Sequence, residues 1–340
     1  MVVLIFSGIF LFAAACIGFL LSSPPYRGPV SAHFNGKRFF NPEAGHIPGP
    51  CDMIRFITGG PGEKWQKSSG VSSPLVAHSP EEEGIRYLGH ASFLITLSGK
   101  TILLDPVFHR AGPLGIFGPS RFRKPGILLK NLPRIDGILV SHNHYDHFDV
   151  SAVKSLIKKD NPWLLMPLGC GNVLPEKFRV RLHELDWWEK LEQEGLCITA
   201  VPARHFSGRG IFDRNRSLWC GFMIVFSNQR IYFAGDTAYG VHFRQIAEKF
   251  PGISSALLPI GAYRPEWMMH GIHINPSDAI RAFLDLEADR VLAYHHRTFR
   301  LAREGPDTPE QEFVRAAQKR GVAEQRVLAP LEGELLHLNS

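Results

Sequence analysis

Residues Ser141-His142-Asn143-His144-Tyr145-Asp146-His147 come immediately after the apolar run Gly137–Val140. Three imidazoles and a carboxylate within six residues, at a predicted strand end, are hard to account for by packing. Histidine and aspartate are seldom fully buried without partners, and desolvating four together is strongly unfavourable. Metal binding accounts for them. In an extended segment His142 and His144 lie two apart and point to the same side. Asp146 and His147 follow as the chain turns toward the next helix, where they face a second ion beside the first. Imidazole and carboxylate without thiolate suit zinc best, with iron and manganese as alternatives.

Two ions need more ligands than one loop supplies, and later strand ends offer them. Ala203-Arg204-His205 follows a strand predicted to end at Val201. Phe233-Ala234-Gly235-Asp236-Thr237 closes another strand on a carboxylate, and Gly235 permits a tight turn there. Asp236 has two oxygens and can bridge both ions. Tyr294-His295-His296 follows Val291–Ala293, with the two imidazoles competing for one role. Each of these segments alone is an ordinary surface or core feature. Their order behind the H-x-H-x-D-H motif makes them a candidate dinuclear site.

Outward from that motif, predicted strands are Ile85–Tyr87, Ser92–Thr96, Thr101–Leu104, Gly137–Val140, Trp163–Met166, Leu196–Val201, Phe222–Phe226, Ile231–Phe233, Ala256–Ile260 and Val291–Ala293. Helical patterns fall at Val150–Lys159, Val241–Phe250, Pro276–Leu286 and Pro309–Arg320. Strands dominate the first half and alternate with helices later, which predicts stacked sheets with helices outside rather than one doubly wound sheet. Residues 22–83, rich in Pro and Gly, read as an irregular extension packed on a core that spans 84–340. Residues 2–21 are apolar apart from Ser7, Gly8 and Gly18, and the first charged side chain is Arg27. Twenty such residues in a helix match a bilayer core of about 30 Å. A signal peptide would carry a basic leading region, which is missing. A lipoprotein reading would use Ala13-Ala14-Ala15-Cys16, where a larger aliphatic is usual at the first position. The expectation is an N-terminal transmembrane anchor over 1–21. The positive-inside rule places the globular part in the cytoplasm, because the flanking charges lie C-terminal to the run.

Composition narrows the classes. At 44% hydrophobic and 21% charged, the 340-residue chain is globular, not disordered, collagen-like or coiled-coil. Five cysteines without a C-x-x-C pair make no disulfide framework. The net charge of +6 suits anionic surfaces or substrates without demanding nucleic acid, and no aromatic-interleaved basic tract argues for RNA.

The succession His142/His144/Asp146/His147, His205, Asp236 and His295 resembles the metallo-β-lactamase superfamily. Several segments are similar to N-acylphosphatidylethanolamine phospholipase D and its bacterial relatives. These are Asp105-Pro106-Val107-Phe108, Ser120-Arg121-Phe122-Arg123, the His142–His147 motif with Tyr145 inside it, Phe233–Thr237, Gly261-Ala262-Tyr263, His273-Ile274-Asn275-Pro276 and Thr298-Phe299. The resemblance covers roughly Gly84 to Phe299. It implies an αβ/βα sandwich with two metal ions at one edge of the sheets. By position it puts His142, His144 and His205 on one ion and Asp146, His147 and His295 on the other, with Asp236 bridging. His295 is chosen over His296 because the family follows its last ligand with any residue, a small residue and Thr-Phe. Here Arg297 stands where that small residue is usually Gly. Tyr145 and His273 match positions near substrate.

The implied activity is that of a zinc-dependent phosphodiesterase of phospholipase D type. Two ions about 3.5–4 Å apart hold a water, lower its pKa and stabilise attacking and leaving oxygens. Asp146 and Asp236 are the expected catalytic carboxylates, and a membrane phospholipid is the expected substrate. A homodimer is the one protein partnership envisaged. Arg121, Arg123 and Lys124 read either as headgroup contacts or as a solvated surface turn. Rival readings are a lactonase, thioesterase or β-lactam hydrolase on the same centre, an RNA-cleaving enzyme, and a non-catalytic membrane-tethered metal-binding protein.

Overall fold

Runs such as Ser92-Phe93-Leu94-Ile95-Thr96-Leu97 are buried on both faces, which an amphipathic helix cannot be and a sheet covered on each side can. The computed structural model describes residues 18, 21–43, 45, 47–65, 82–193 and 195–338. The strands are β1 (Gly84–Gly89), β2 (Ser92–Leu97), β3 (Lys100–Leu104), β4 (Gly137–Leu139), β5 (Trp163–Pro167), β6 (Leu182–Leu185), β7 (Lys190–Gln193), β8 (Leu196–Val201), β9 (Gly221–Phe226), β10 (Gln229–Phe233), β11 (Ser255–Pro259), β12 (Val291–Tyr294), β13 (Val327–Leu328) and β14 (Leu335–Leu336). They build two seven-stranded sheets, ordered β14-β1-β2-β3-β4-β5-β6 and β13-β12-β11-β10-β9-β8-β7. Each sheet is antiparallel at one end and parallel at the other. In the first, β1 to β3 form a meander, whereas β3, β4, β5 and β6 run parallel. In the second, β7 to β10 are antiparallel and β10 to β13 parallel.

Phe93, Ile95, Leu104, Leu139 and Leu165 of the first sheet pack against Ile198, Phe222, Ile224, Phe233, Leu257 and Leu292 of the second. Helices cover the outer faces: α2 (Val150–Asp160) on the first sheet, and α3 (His242–Lys249), α5 (Pro276–Asp285) and α6 (Thr308–Lys319) on the second. Their ends are written locally. Asp149 accepts hydrogen bonds from Ser151 N and Ala152 N at the start of α2, and Asn275 accepts from Asp278 N where Pro276 opens α5. This is the two-sheet sandwich with outer helices that the strand pattern predicts.

The extension contains a helix that its Pro and Gly content hides, α1 (Pro50–Thr58). Phe34 and Phe39 bury against Ala203, Leu218 and Trp219, and Trp65 Nε1 donates to Glu304 O at 2.9 Å. A further short helix, α4 (Glu266–Met269), precedes α5. The hydrophobic run 2–21 lies outside the described residues except for Gly18 and Leu21, both helical. Among the described residues no helix is long and apolar enough to cross a membrane, so the expected anchor gains no support from the fold.

Phe222 is completely enclosed between the sheets, whereas Ile57 on α1 is 72% exposed. Phe222→Ala is expected to lower unfolding free energy by about 3–5 kcal/mol, and Ile57→Ser to change it by less than about 0.5 kcal/mol. Denaturant titration checks both, and equal losses would contradict this packing.

Candidate metal centre

Strand direction gathers the chemistry. β3 and β4 are parallel neighbours, so Asp105 and Ser141, which follow them, stand side by side. β8 and β10 flank β9 antiparallel to both and therefore point the same way, carrying His205 and Asp236 to one edge. β12 runs parallel to β11, which is parallel to β10, and delivers His295 to that edge. All seven sequence-predicted ligands thus converge there.

They form two groups around one carboxylate. His142 Nε2 lies 2.9 Å from His144 Nδ1, and His205 Nε2 lies 3.3 Å from the same atom. On the other side His295 Nε2 approaches His147 Nε2 to 3.2 Å and Asp146 Oδ2 to 3.4 Å. Asp236 Oδ2 stands between the groups, 3.1 Å from His147 Nε2, 3.2 Å from His295 Nε2 and 3.8 Å from His205 Nε2. Among the described residues His296 belongs to none of the ligand clusters, whereas His295 does.

The free nitrogens face inward because the others are held. His147 Nδ1 donates to Asp105 Oδ2 at 2.6 Å. Ser141 Oγ donates to the same oxygen at 2.6 Å and accepts from His142 Nδ1 at 3.0 Å. His205 Nδ1 donates to Ile272 O at 2.7 Å. Outer partners of this kind fix ring orientation in metal sites. Arg209 braces the loop itself, donating to Asn143 O and Phe148 O at 2.8 and 3.0 Å and stacking 3.8 Å over the Tyr145 ring. His273 sits beside the centre with Nδ1 3.8 Å from Asp236 Oδ2.

Charge explains what the cluster is suited to hold. Burial disfavours imidazolium and holds His142 and His205 well below their usual value, and takes His144 and His273 to about 4. Burial also opposes protonation of His147 and His295, but nearby carboxylates outweigh it. Asp236 and Asp146 raise His147 well above the usual range and push His295 up to about 9. Conversely, burial works against ionising Asp236, yet His147 and His295 hold it well below the carboxylate range. Asp236 Oδ1 and His273 Nδ1, beside the two groups, are buried without a hydrogen-bond partner among the described residues. Buried, unpaired N and O donors around anionic carboxylates fit divalent cations.

A family model described as the Beta-lactamase superfamily domain matches residues 100–296, more than half of the chain. The chain belongs to the metallo-β-lactamase superfamily. It is 34% identical over 292 residues to an N-acyl-phosphatidylethanolamine-hydrolyzing phospholipase D 1 of Caenorhabditis elegans, covering 78% of this chain and 82% of that one. It is 37% identical over 239 residues to the mitochondrial N-acyl-phosphatidylethanolamine-hydrolyzing phospholipase D of Saccharomyces cerevisiae, covering 68% of this chain and 51% of that one. The metallo hydrolase Igni18 of Ignicoccus hospitalis shares the fold, with a TM-score of 0.54 at 21% identity over 74% of this chain and 96% of that one. The chain is accordingly a metal-dependent hydrolase of this superfamily.

Several residues at the metallo-β-lactamase centre escape a motif reading. Asp105 is part of the resemblance through Asp105-Pro106-Val107-Phe108 but is given no role there, and His90, whose Nε2 lies 3.0 Å from Asp146 Oδ2, is not singled out. The signal for both is their place at strand ends of this same edge. Arg121 and Arg123 turn inward, against both readings of that segment. Arg121 donates to Val107 O at 2.7 Å, and Arg123 lies 3.7 Å from Glu332 and 3.6 Å from Asp307.

Because His147 and His295 keep protons at neutral pH in the metal-free protein, divalent ions must displace them. Binding is expected to release protons and to weaken as pH falls, since the ions compete with protons for these nitrogens. Calorimetric titrations in buffers of different ionisation enthalpy measure this, and buffer-independent heats would contradict the charge assignment.

Proposed function

We propose that this chain is a zinc-dependent phosphodiesterase of phospholipase D type that cleaves N-acylphosphatidylethanolamine-like membrane lipids. One observation carries the reading: two histidine-rich groups face each other across Asp236 in a chain 34% identical to a relative named for that hydrolysis. In this reading His142, His144 and His205 hold one ion and Asp146, His147 and His295 the other, with Asp236 shared. Two divalent ions at such a centre supply a water nucleophile at neutral pH and offset charge developing on phosphoryl oxygens.

The chain's own groups do the rest. Asp236 is enclosed, with 2% of its side chain exposed, and fixes the spacing of the two groups. Asp146 is the more open carboxylate, at 14%, and would help hold the second ion and accept a proton from the nucleophilic water. His273 and Tyr145 flank the centre and orient the phosphodiester. A groove of about 470 Å³, lined by Phe108, Leu128, Leu129 and Leu156, adjoins the helix that follows the metal loop and offers apolar surface to an acyl chain. Residues 2–21 serve as the membrane anchor in this reading, with the hydrolase on the cytoplasmic side. Tethering would raise the effective concentration of a bilayer substrate.

Metal analysis coupled to turnover tests the proposal. Purified protein is expected to carry two zinc equivalents and to release phosphatidic acid and an N-acylethanolamine from N-acylated phosphatidylethanolamine. His144→Ala and Asp236→Asn should each lower turnover by more than about 100-fold, the upper end for loss of an outer-shell partner. They should leave the fold intact by circular dichroism. Turnover of a lactone, thioester or β-lactam with none of the phospholipid would assign the centre to carbonyl substrates. Inactivity of the metal-replete protein on all of them would favour a binding role.

A further inference from the structure

The hairpin between β1 and β2 brings up a histidine that stands outside the superfamily's ligand set. His90 is 1% exposed, and its Nε2 lies 3.0 Å from Asp146 Oδ2. Since a carboxylate oxygen can only accept, Nε2 carries the donated proton. The same residue is tied to the other ligand segment through its backbone. His295 N donates to His90 O at 2.9 Å, and His90 N donates to Thr298 Oγ1 at 2.9 Å. Its ring packs 4.1 Å from that of His295 and edge-on to Phe299 at 4.9 Å. The backbone there has φ +58°, a region sparsely used by residues other than glycine. One residue therefore contacts all three members of the second group, Asp146, His147 and His295, from segments some 150 residues apart.

We infer that His90 is a positioning residue for the second metal ion, donating Nε2–H to Asp146 Oδ2, the same oxygen that faces His147 and His295, and so holding that carboxylate at the centre while its backbone anchors the His295 segment. The inference rests on the cluster being a dinuclear metal centre and is independent of the substrate. A ring that only filled space would be replaceable by any aromatic of similar size. A ring that itself bound the ion would not be replaceable by an amide. A positioning donor is replaceable by a group that puts an N–H in the same place, and glutamine reaches about as far as Nε2.

The test is titration of the metal-free full chain with Co²⁺, read by visible absorption and chelator competition, for wild type, His90→Phe and His90→Gln. Wild type is expected to bind two ions. His90→Phe should weaken the second by about 10–100-fold and alter its absorption band while the first is unchanged. His90→Gln should restore most of the affinity and the wild-type band. Should His90→Phe fail to fold, His90→Asn serves, because its amide falls short of Asp146, and the same weakening is expected. Unaltered second-ion affinity in these variants would overturn the inference. So would His90→Gln as impaired as His90→Phe, which would make His90 a ligand. Parallel weakening of both ions would reduce it to a structural residue. If wild type bound fewer than two ions, the metal-centre reading would itself fall, a result separable from the others.

Discussion

His147 meets three carboxylates at once: Asp105 at 2.6 Å, Asp236 at 3.1 Å and Asp146 at 3.7 Å. Asp105 and Asp236 are essentially closed to solvent and Asp146 nearly so. Three negative charges this close in a dry environment are untenable without positive charge beside them. In the metal-free chain the compensation comes from protons held on His147 and His295, against the burial that would normally expel them. Divalent cations provide the same compensation with charge to spare. They also satisfy buried lone pairs that a proton on one ring cannot reach. The geometry of the loop follows from this, because Asp105 fixes His147 directly and His142 through Ser141.

That electrostatic demand can be met only because the sheets deliver ligands from distant parts of the chain to a single edge. The reason is direction. A strand's C-terminal end carries whatever follows it to that end of the sheet, and β1, β3, β4, β8, β10 and β12 all finish on the same side. The meander at the start of each sheet sets the first directions and the parallel half repeats them. The inter-sheet core of Phe93, Phe222, Phe233 and Tyr294 then keeps the two edges within bonding distance, and Tyr294 O–H donates to Gly235 O just behind Asp236. Packing and chemistry meet in that contact: a core aromatic holds the turn on which the shared carboxylate sits.

Much of this was legible in the residues. The seven predicted ligand residues come together where strand-end reasoning expected them to gather, since each of their segments is a polar stretch placed abruptly after an apolar run. The long, doubly buried strands were legible for the same reason. β6, β7, β13 and β14 were not, because strands of two to four residues with intermediate burial leave too few positions for a period to show. α1 was hidden because the Pro and Gly around it read as irregular chain and because Phe56 is its one apolar residue packed on the core. Asp105 and His90 are isolated single residues whose roles exist only through neighbours far away in sequence. Arg121 and Arg123 misled for a related reason: their positive charge suggests an anionic ligand, but Glu332 and Asp307 supply the anions from the C-terminal part of the chain.

Arg297 shows how far the centre's demands reach into the backbone. The resemblance implies glycine at this position, and the φ of +61° is one that glycine adopts without strain. An arginine in this conformation carries strain of order 1–2 kcal/mol. Its guanidinium offsets the strain by pairing with Asp307, 3.1 Å away, and with Glu310, both at the start of α6. The departure from glycine thus ties the loop that bears His295 to the helix covering the second sheet. It is not alone. Asp105, His90 and His295 also have positive φ, at +36°, +58° and +67°. Left-handed residues other than glycine are uncommon, and four of the twelve among the described residues lie at or beside this centre. Strain concentrated in this way persists only where surrounding contacts over-determine the conformation, which is characteristic of functional sites. The strained backbone at these four positions thus accompanies the ligand cluster at this sheet edge.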